Sequence, residues 1–320
     1  YIYDPKNDTG KMDWIKVSQY YDIIYFNYTA NPWAFAAMGA MARKFGKKLV
    51  LDMDDSLWNV MPDNPSFNVY KPGSEGIKNF TAIVNEVDHV TTTNAYLKNV
   101  IVHNTNKEHK HISVLDNKVD LKLYNHRSRF KDDNQITLTH FGSTTHFIDL
   151  ANKEFENGID KIMKKYPNVK LKTIGAFLPN YKNKWGIRYE NAYGDRDIYK
   201  WIKEKFPIYM DETDILVTPL ENNIYTQCKS AIKFMEGSTA LKPGVWQDIR
   251  QYREVIKNGE NGYLAKTATE WYKAIKTLID SPVARKQIGE KAFETVKKNH
   301  QIQNYVEAYA EVFKAINEKL

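Results

Sequence analysis

Short apolar runs alternate with longer segments of helical periodicity along most of the chain, and this alternation is the strongest constraint on its fold. Consecutive parallel strands need a crossover connection, usually a helix, so the pattern predicts βαβ units and parallel sheets. The runs recur on both sides of one polar stretch, Asn125–Asn134 (NHRSRFKDDN), which we interpret as a linker between two α/β domains. The predicted strands are Asp22–Phe26, Lys48–Leu51, His89–Thr92, Ile112–Leu115, Ile136–Phe141, Lys170–Ile174 and Asp214–Thr218. The predicted helices of the second half are Asp149–Lys165, Ala231–Ala240 and Val283–Lys298.

The predicted domains cover residues 1–125 and 126–320, and both are expected to be Rossmann-like. The chain opens at Tyr1 without a Met, which leaves open a longer native start to the first domain. Near the other end, apolar side chains fall on one helical face, so residues 302–320 are expected to form an amphipathic helix that crosses back to the first domain. Those side chains are Ile302, Tyr305, Tyr309, Val312, Phe313 and Ile316.

Composition limits the cellular setting and the kinds of binding partner that we expect for this chain. The longest apolar run, Ala34–Ala42, is far shorter than the roughly 18 residues that span a bilayer, so no membrane helix is expected. Cys228 is the only cysteine, which excludes an intrachain disulfide and favours a reducing, cytoplasmic setting. The net charge of +7 favours anionic partners: nucleotide diphosphates, an anionic inner-membrane surface or, less favoured, nucleic acid.

The segment Asp214–Val245 (DILVTPLENNIYTQCKSAIKFMEGSTALKPGV) predicts a buried strand, a polar loop and then a helix that starts near Lys229 or Ser230. Such a helix offers free N–H groups and a positive dipole to a phosphate, with Ser230 as its cap. Lys229 and Lys233 would share one face of it, and a bound diphosphate would compensate their charge. Glu236 would lie one turn deeper and accept from a ribose diol. A solvated helix face with an ion pair is the alternative.

A second loop of the same kind follows the strand that begins the second domain, in Leu138–Leu150 (LTHFGSTTHFIDL). Gly142 would let the backbone approach a ligand, while Ser143, Thr144 and Thr145 could donate hydroxyl hydrogen bonds. His146 is a candidate phosphate contact, with a capping or surface role as the alternative.

In the first domain, a predicted strand runs directly into Asp52, Asp54 and Asp55. These carboxylates suggest binding of a metal or of substrate hydroxyls, whereas turn formation and helix capping would explain them equally.

Taken in order, several segments resemble glycosyltransferase family 4, in the form of a divergent bacterial or phage-like member. GKKLVLDMDDSLWNVMPDNP is similar to a bacterial subgroup with a D-x-D-D-x-x-W stretch, and HISVLDNKVD resembles the strand before the interdomain linker. FGSTTHFIDL, DILVTPL, CKSAIKFMEGSTALKPGV, YREVIKNGENGYL and EWYKAIKTLIDSPVARKQIG follow the family's order and spacing in the second domain. The resemblance covers most of the chain.

This resemblance implies a GT-B fold, with two Rossmann-like domains facing across a cleft and the donor in the second. Two glutamates separated by seven residues are the family pattern, and Glu236 matches the second, which binds the ribose. Cys228 stands at the first, normally a donor-sugar contact. Where many members place an Arg and a Lys for the diphosphate, this chain has Ser143 and His146.

The implied activity is transfer of a sugar from a UDP- or GDP-sugar to a hydroxyl acceptor, with retained anomeric configuration and no required metal or other cofactor. The acceptor would be a glycan, a lipid-linked glycan or another cell-surface polymer, contacted by Asp54 and Asp55. Lys229, Lys233 and Glu236 are the expected catalytic set, and Gly142, Ser143, Thr144, His146, Cys228 and Ser230 the expected donor contacts. Glycosylation of modified DNA bases and nucleotide-sugar binding without catalysis are the alternatives.

Overall fold

The computed structural model describes residues 14–27, 32–128, 134–143, 146–195 and 197–319. The chain divides into two compact units. The first contains the described residues up to Pro62, Ser66–Asp116 and the described residues from Glu307 on, and the second contains Asp63–Pro65 and the described residues of Asn117–Val306.

The first unit is built on a parallel sheet whose strands lie in chain order, β1-β2-β3-β4. Its helices form where a capping residue precedes apolar residues at helical spacing. One of them is capped by Ser74, whose side chain accepts a hydrogen bond from the Ile77 N–H, and it buries Ile77, Phe80, Ile83 and Val84. The strands are β1 (Ile23–Asn27), β2 (Lys48–Met53), β3 (His89–Thr92) and β4 (Ile112–Val114). The helices are α1 (Trp14–Tyr20), α2 (Pro32–Lys44), α3 (Phe67–Tyr70), α4 (Glu75–Glu86) and α5 (Ala95–Asn104).

The second unit has a parallel sheet with the strand order β7-β6-β5-β8-β9-β10. From β5 the chain moves outward to β6 and β7, then returns to β8 on the other side of β5 and continues to β9 and β10. This is the Rossmann order 3-2-1-4-5-6, and it reverses direction between β5 and β8. The strands are β5 (Ile136–Gly142), β6 (Val169–Gly175), β7 (Tyr189–Ala192), β8 (Ile215–Thr218), β9 (Gly244–Gln247) and β10 (Tyr263–Ala265).

Helices cover both faces of this sheet. Along β8, Ile215 and Val217 belong to one core cluster and Leu216 to the other, as expected for side chains that alternate along a strand. Phe155 and Trp271 pack in the first cluster with ring centroids 4.9 Å apart. The helices are α6 (Phe147–Leu150), α7 (Lys153–Lys165), α8 (Pro179–Trp185), α9 (Ile198–Lys200), α10 (Phe206–Glu212), α11 (Ile224–Gln227), α12 (Ile232–Thr239), α13 (Arg250–Arg253), α14 (Ala268–Asp280) and α15 (Pro282–Asn299).

The single helix predicted over Asp149–Lys165 is two helices. Asn152 interrupts it, because its side chain accepts from the Phe155 N–H and thereby caps α7. All seven predicted strands are confirmed, with ends that differ by at most two residues. In the described part of the chain, no helix is both long enough and apolar enough to cross a membrane.

The division between the units falls after Asp116, nine residues before the boundary predicted at residue 125. Apolar burial explains this difference. Val119 pairs with Gln301, and both Val119 and Tyr124 are buried in a core cluster of the second unit.

The last helix, α16 (Val306–Lys319), belongs to the first unit from Glu307 on. Phe313 packs edge-on against Tyr25 of β1 at a centroid distance of 5.6 Å, and the Tyr309 hydroxyl donates to the Asp116 carbonyl. Residues Ile302–Asn304 form a separate 3₁₀ turn, so the α-helix begins later than the predicted 302.

Candidate active site

The candidate site lies at the carboxyl ends of β5 and β8, where the strand order of the second unit reverses. In open α/β sheets, ligands bind outside the carboxyl ends of the strands at such a switch point. Strand β5 ends at Gly142 and β8 ends at Thr218, so the two loops singled out in the sequence start from neighbouring strands.

Glycines let backbone and side chains crowd together at this edge. A Cβ on Gly142 would lie 2.8 Å from His146 Cδ2 and 3.1 Å from Lys233 Cε. Gly175, at the end of β6, has a φ of +90°, and a Cβ there would overlap the Gly142 carbonyl oxygen. A Cβ on Gly237 would overlap Leu216, so this glycine lets α12 pack closely on β8. The neighbours that crowd Gly142 are the protein's own side chains, and its predicted close approach to a ligand stays a prediction.

A chain of hydrogen bonds runs through the loop after β5. Lys233 Nζ lies 2.8 Å from His146 Nε2, and His146 Nδ1 lies 2.6 Å from Asp149 Oδ2. The Glu221 N–H, in the loop after β8, donates to Asp149 Oδ1 at 2.9 Å. Burial raises the pKa of Asp149, while the hydrogen bond from Glu221 and the charge of Lys233 act in the opposite direction. His146 is thus buried between a carboxylate and an ammonium group.

Glu236 lies three residues beyond Lys233 on α12, as predicted, and is half-buried. It accepts a hydrogen bond from the Tyr124 hydroxyl. Burial raises the pKa of Glu236, and the Tyr124 hydrogen bond and the Lys233 charge oppose that rise. Burial and the nearby Glu236 charge also raise the pKa of Tyr124, which therefore stays a neutral donor.

The predicted helix start at Lys229 or Ser230 is wrong. Helix α12 begins at Ile232, and its capping residue, Ala231, makes no side-chain cap. The preceding polar loop forms its own short helix, α11, with an Asn223–Thr226 capping box, so the chain must turn again before α12 starts.

Lys229 and Ser230 consequently lie in the turn between α11 and α12. Ser230 Oγ accepts a hydrogen bond from Asn117 Nδ2 at 2.8 Å instead of capping the helix. Lys229 Nζ lies 4.5 Å from the centroid of the Tyr225 ring, and it does not share a helix face with Lys233.

The other predicted donor contacts differ in their surroundings. Cys228 has no exposed surface, which does not support its predicted contact with a donor sugar. The Ser143 carbonyl accepts a hydrogen bond from the His146 N–H at 3.0 Å. Thr144 lies outside the described residues.

The predicted acceptor residues belong to the first unit. Asp54 and Asp55 follow β2 directly, with Asp54 exposed and Asp55 half-buried. The neighbouring Asp52 accepts from Thr91 Oγ1 at 2.6 Å, and that hydroxyl also contacts the Tyr25 hydroxyl at 3.2 Å. Within the described ranges, no group of three or more His, Cys, Asp or Glu side chains could hold a metal ion.

Sequence reasoning missed Asp149, Tyr124 and Glu221. The spacing of His146 and Asp149 is three residues at a helix start, which is a usable signal for a local pair. Tyr124 is 112 positions away from Glu236, and only the tertiary fold brings them together.

Three kinds of comparison with known proteins were informative to different degrees. No family model matches the chain. Trehalose synthase of Pyrococcus horikoshii is 25% identical over 167 residues, which are 49% of this chain and 39% of that protein. The match thus spans about two fifths of the relative's length.

Solved structures match over nearly the whole chain at low identity. Anabaena HepE, in complex with UDP and glucose, has a TM-score of 0.67 and 15% identity over 94% of this chain and 80% of that one. A glycosyltransferase from Rickettsia africae has a TM-score of 0.64 and 16% identity over 100% of this chain and 85% of that one. Together with the two parallel sheets, these similarities show the fold of GT-B glycosyltransferases.

Proposed function

We propose that this protein is a glycosyltransferase that moves a hexosyl or related sugar from a UDP- or GDP-sugar to a hydroxyl acceptor. The observation that carries the proposal is the gathering of Lys233, Glu236 and Gly142 at the switch point of a Rossmann-ordered sheet. HepE, which shares the fold, was solved with UDP and glucose, and this supports a nucleotide-sugar donor.

Each group has a role that suits its chemistry. The Glu236 carboxylate accepts hydrogen bonds from the ribose diol, while Tyr124 holds it in place. The Lys233 ammonium neutralises the diphosphate, and the Ser143 N–H and hydroxyl donate to its oxygens. Lys229, from the turn before α12, adds positive charge to the same edge of the sheet.

Catalysis rests on stabilising the negative charge that develops on the leaving diphosphate. Lys233 is the main source of that stabilisation. The proton of the acceptor hydroxyl passes to a departing phosphate oxygen, so no strong protein base is required. Attack from the face of the leaving group retains the anomeric configuration, as the resemblance to family 4 implies, and no metal takes part.

The acceptor side is proposed from the first unit. Asp54 and Asp55 bind acceptor hydroxyls of a glycan, a lipid-linked glycan or another cell-surface polymer. The single cysteine favours a cytoplasmic setting, and the net charge of +7 favours contact with the anionic inner-membrane surface, where a lipid-linked acceptor would lie.

The donor site is tested with a panel of UDP- and GDP-sugars, using thermal shift, calorimetry and slow donor hydrolysis. Lys233→Ala is expected to weaken binding of the preferred donor about 10- to 100-fold, because a charge-assisted hydrogen bond contributes about 1.5–3 kcal/mol. Glu236→Ala should also weaken donor binding. It should weaken binding of the nucleotide more than binding of inorganic pyrophosphate, because pyrophosphate has no ribose.

Lys161→Ala, at an exposed position of α7, is the matched control and should leave binding unchanged. Donor affinity that survives both Lys233→Ala and Glu236→Ala would remove this edge of the sheet as the donor site.

Binding of a nucleotide sugar without turnover is the second candidate. Cys228 stands where the family has a glutamate, and the structure buries it completely. This alternative predicts tight donor binding in the same panel, with neither hydrolysis nor transfer to any acceptor.

A further inference from the structure

Asp149 joins three segments of the candidate site that are far apart in sequence. Its two carboxylate oxygens accept from different donors: Oδ2 from His146 in the loop after β5, and Oδ1 from the Glu221 N–H after β8. Through His146 the chain of hydrogen bonds reaches Lys233 on α12. Asp149 is only 6% exposed and His146 only 8%, so water does not replace these contacts easily.

The direction of each hydrogen bond follows from the groups that flank the imidazole. An ionised carboxylate only accepts, so His146 Nδ1 must carry the proton that it donates to Asp149. The neutral ring then has a lone pair on Nε2, which can accept from the Lys233 ammonium. With the proton on Nε2 instead, two donors would face each other over 2.8 Å.

The surroundings leave Lys233 and His146 little freedom. Both side chains lie over Gly142, where even a Cβ would be within 3.1 Å of Lys233 and 2.8 Å of His146. The His140 ring makes an edge-on contact with the His146 ring at a centroid distance of 6.1 Å, and His140 Nδ1 donates to the Val217 carbonyl. His146 thus contacts Lys233 through one ring nitrogen and Asp149 through the other.

We infer that Asp149 is a positioning residue for the donor site. It fixes the His146 ring in the Nδ1–H tautomer, so that Nε2 holds the Lys233 ammonium where the donor diphosphate binds. Because it tethers the Glu221 N–H as well, it also ties the loop after β8 to the loop after β5. This inference rests on the proposed function only for the identity of the diphosphate.

The tautomer can be measured without any ligand. Nitrogen-15 NMR of the full-length protein at pH 8 distinguishes Nδ1–H from Nε2–H rings, and His146→Gln identifies the His146 signal among the eight histidines. A neutral Nδ1–H ring is expected. An Nε2–H ring or an imidazolium at pH 8 would overturn the inference, whether or not the protein binds any nucleotide.

The coupling to Lys233 is measured with UDP as the probe. Asp149→Asn has one acceptor oxygen for two N–H donors, so it breaks one of the two tethers while it keeps the shape of the side chain. We expect it to weaken UDP binding about tenfold in the wild-type background and less than about twofold in a Lys233→Ala background. A structural role unrelated to Lys233 would give the same loss in both backgrounds, which would refute the inference.

A conservative variant provides the rescue. In His146→Gln the amide oxygen can accept from Lys233 while the amide nitrogen donates to Asp149, so UDP affinity should stay within about threefold of wild type. His146→Leu, which can do neither, should lose as much as Asp149→Asn. Equal affinities for the Gln and Leu variants would contradict the proposed hydrogen-bond chain, and wild-type protein that binds neither UDP nor GDP would instead refute the proposed function.

Discussion

Gly175→Ala tests whether the edge of the sheet that carries the site depends on backbone packing. Gly175 has a φ of +90°, and an added Cβ would come closer than 3.0 Å to the Gly142 carbonyl oxygen, which is backbone and cannot swing away. The left-handed conformation costs an L-residue about 1–2 kcal/mol, and the overlap adds about 1–3 kcal/mol. We therefore expect a loss of about 2–5 kcal/mol, or roughly 5–15 °C in Tm for a unit of this size.

Gly259→Ala is the matched control for this prediction. Gly259 has a φ of +84°, but a Cβ there meets nothing closer than Tyr263 Cε1 at 3.9 Å. It should lose only the conformational part, about 1–2 kcal/mol. Urea and thermal unfolding give the loss in unfolding free energy for each variant, and the difference between the two losses is the cost of the overlap. Equal losses would refute the reasoning, because β5 and β6 would then have room at Gly142 that the structure does not show.

Three further predictions concern buried polar groups near the site. Tyr124→Phe removes the hydroxyl that donates to Glu236, so urea denaturation should show a loss of about 1.5–3 kcal/mol, and no loss would mean that the hydrogen bond is absent. The pKa of Glu236 is raised on folding, so the stability it contributes is present below the unfolded pKa and is lost as pH rises through the folded pKa. The stability of Glu236→Gln minus that of wild type should therefore be more favourable at pH 8 than at pH 4. The opposite trend would contradict the raised pKa. Burial lowers the pKa of His140 from 6.5 to about 3, so stability present above pH 6.5 is lost as pH falls towards 3. His140→Asn, whose amide can still donate to the Val217 carbonyl, should flatten that acid loss in urea titrations, and an unchanged pH dependence would assign the loss elsewhere.

The strands that the sequence predicted are those with the strongest local signal. Buried parallel strands such as Ile215–Thr218 are continuous apolar runs, and their ends were placed to within two residues. Strands β7, β9 and β10 were missed, because Val245 is the only β-branched residue in the three of them. Pairing with a neighbouring strand, such as β6 for β7 and β8 for β9, makes them strands more than their own propensity does.

The position of a predicted site residue was predicted correctly where it depends on residues nearby in sequence. Lys233 and Glu236 share a helix, so their spacing alone placed them on one side. The helix start was misplaced by two or three residues, because Asn223 and Thr226 form a capping box that ends the loop in a separate turn. The same residues were compatible with a longer α12 and with a separate capped turn, and the capped turn forms.

The class of architecture and the two loops that meet at the switch point follow from the sequence alone. Apolar periodicity, glycine positions and the order of the segments were sufficient, because they act within a few residues of one another. The folded chain was needed to show that Tyr124 donates to Glu236, that Asp149 links His146 to the loop after β8, and that Cys228 is buried. Those contacts join residues up to 112 positions apart, and burial in a shared core, which no single segment encodes, brings them together.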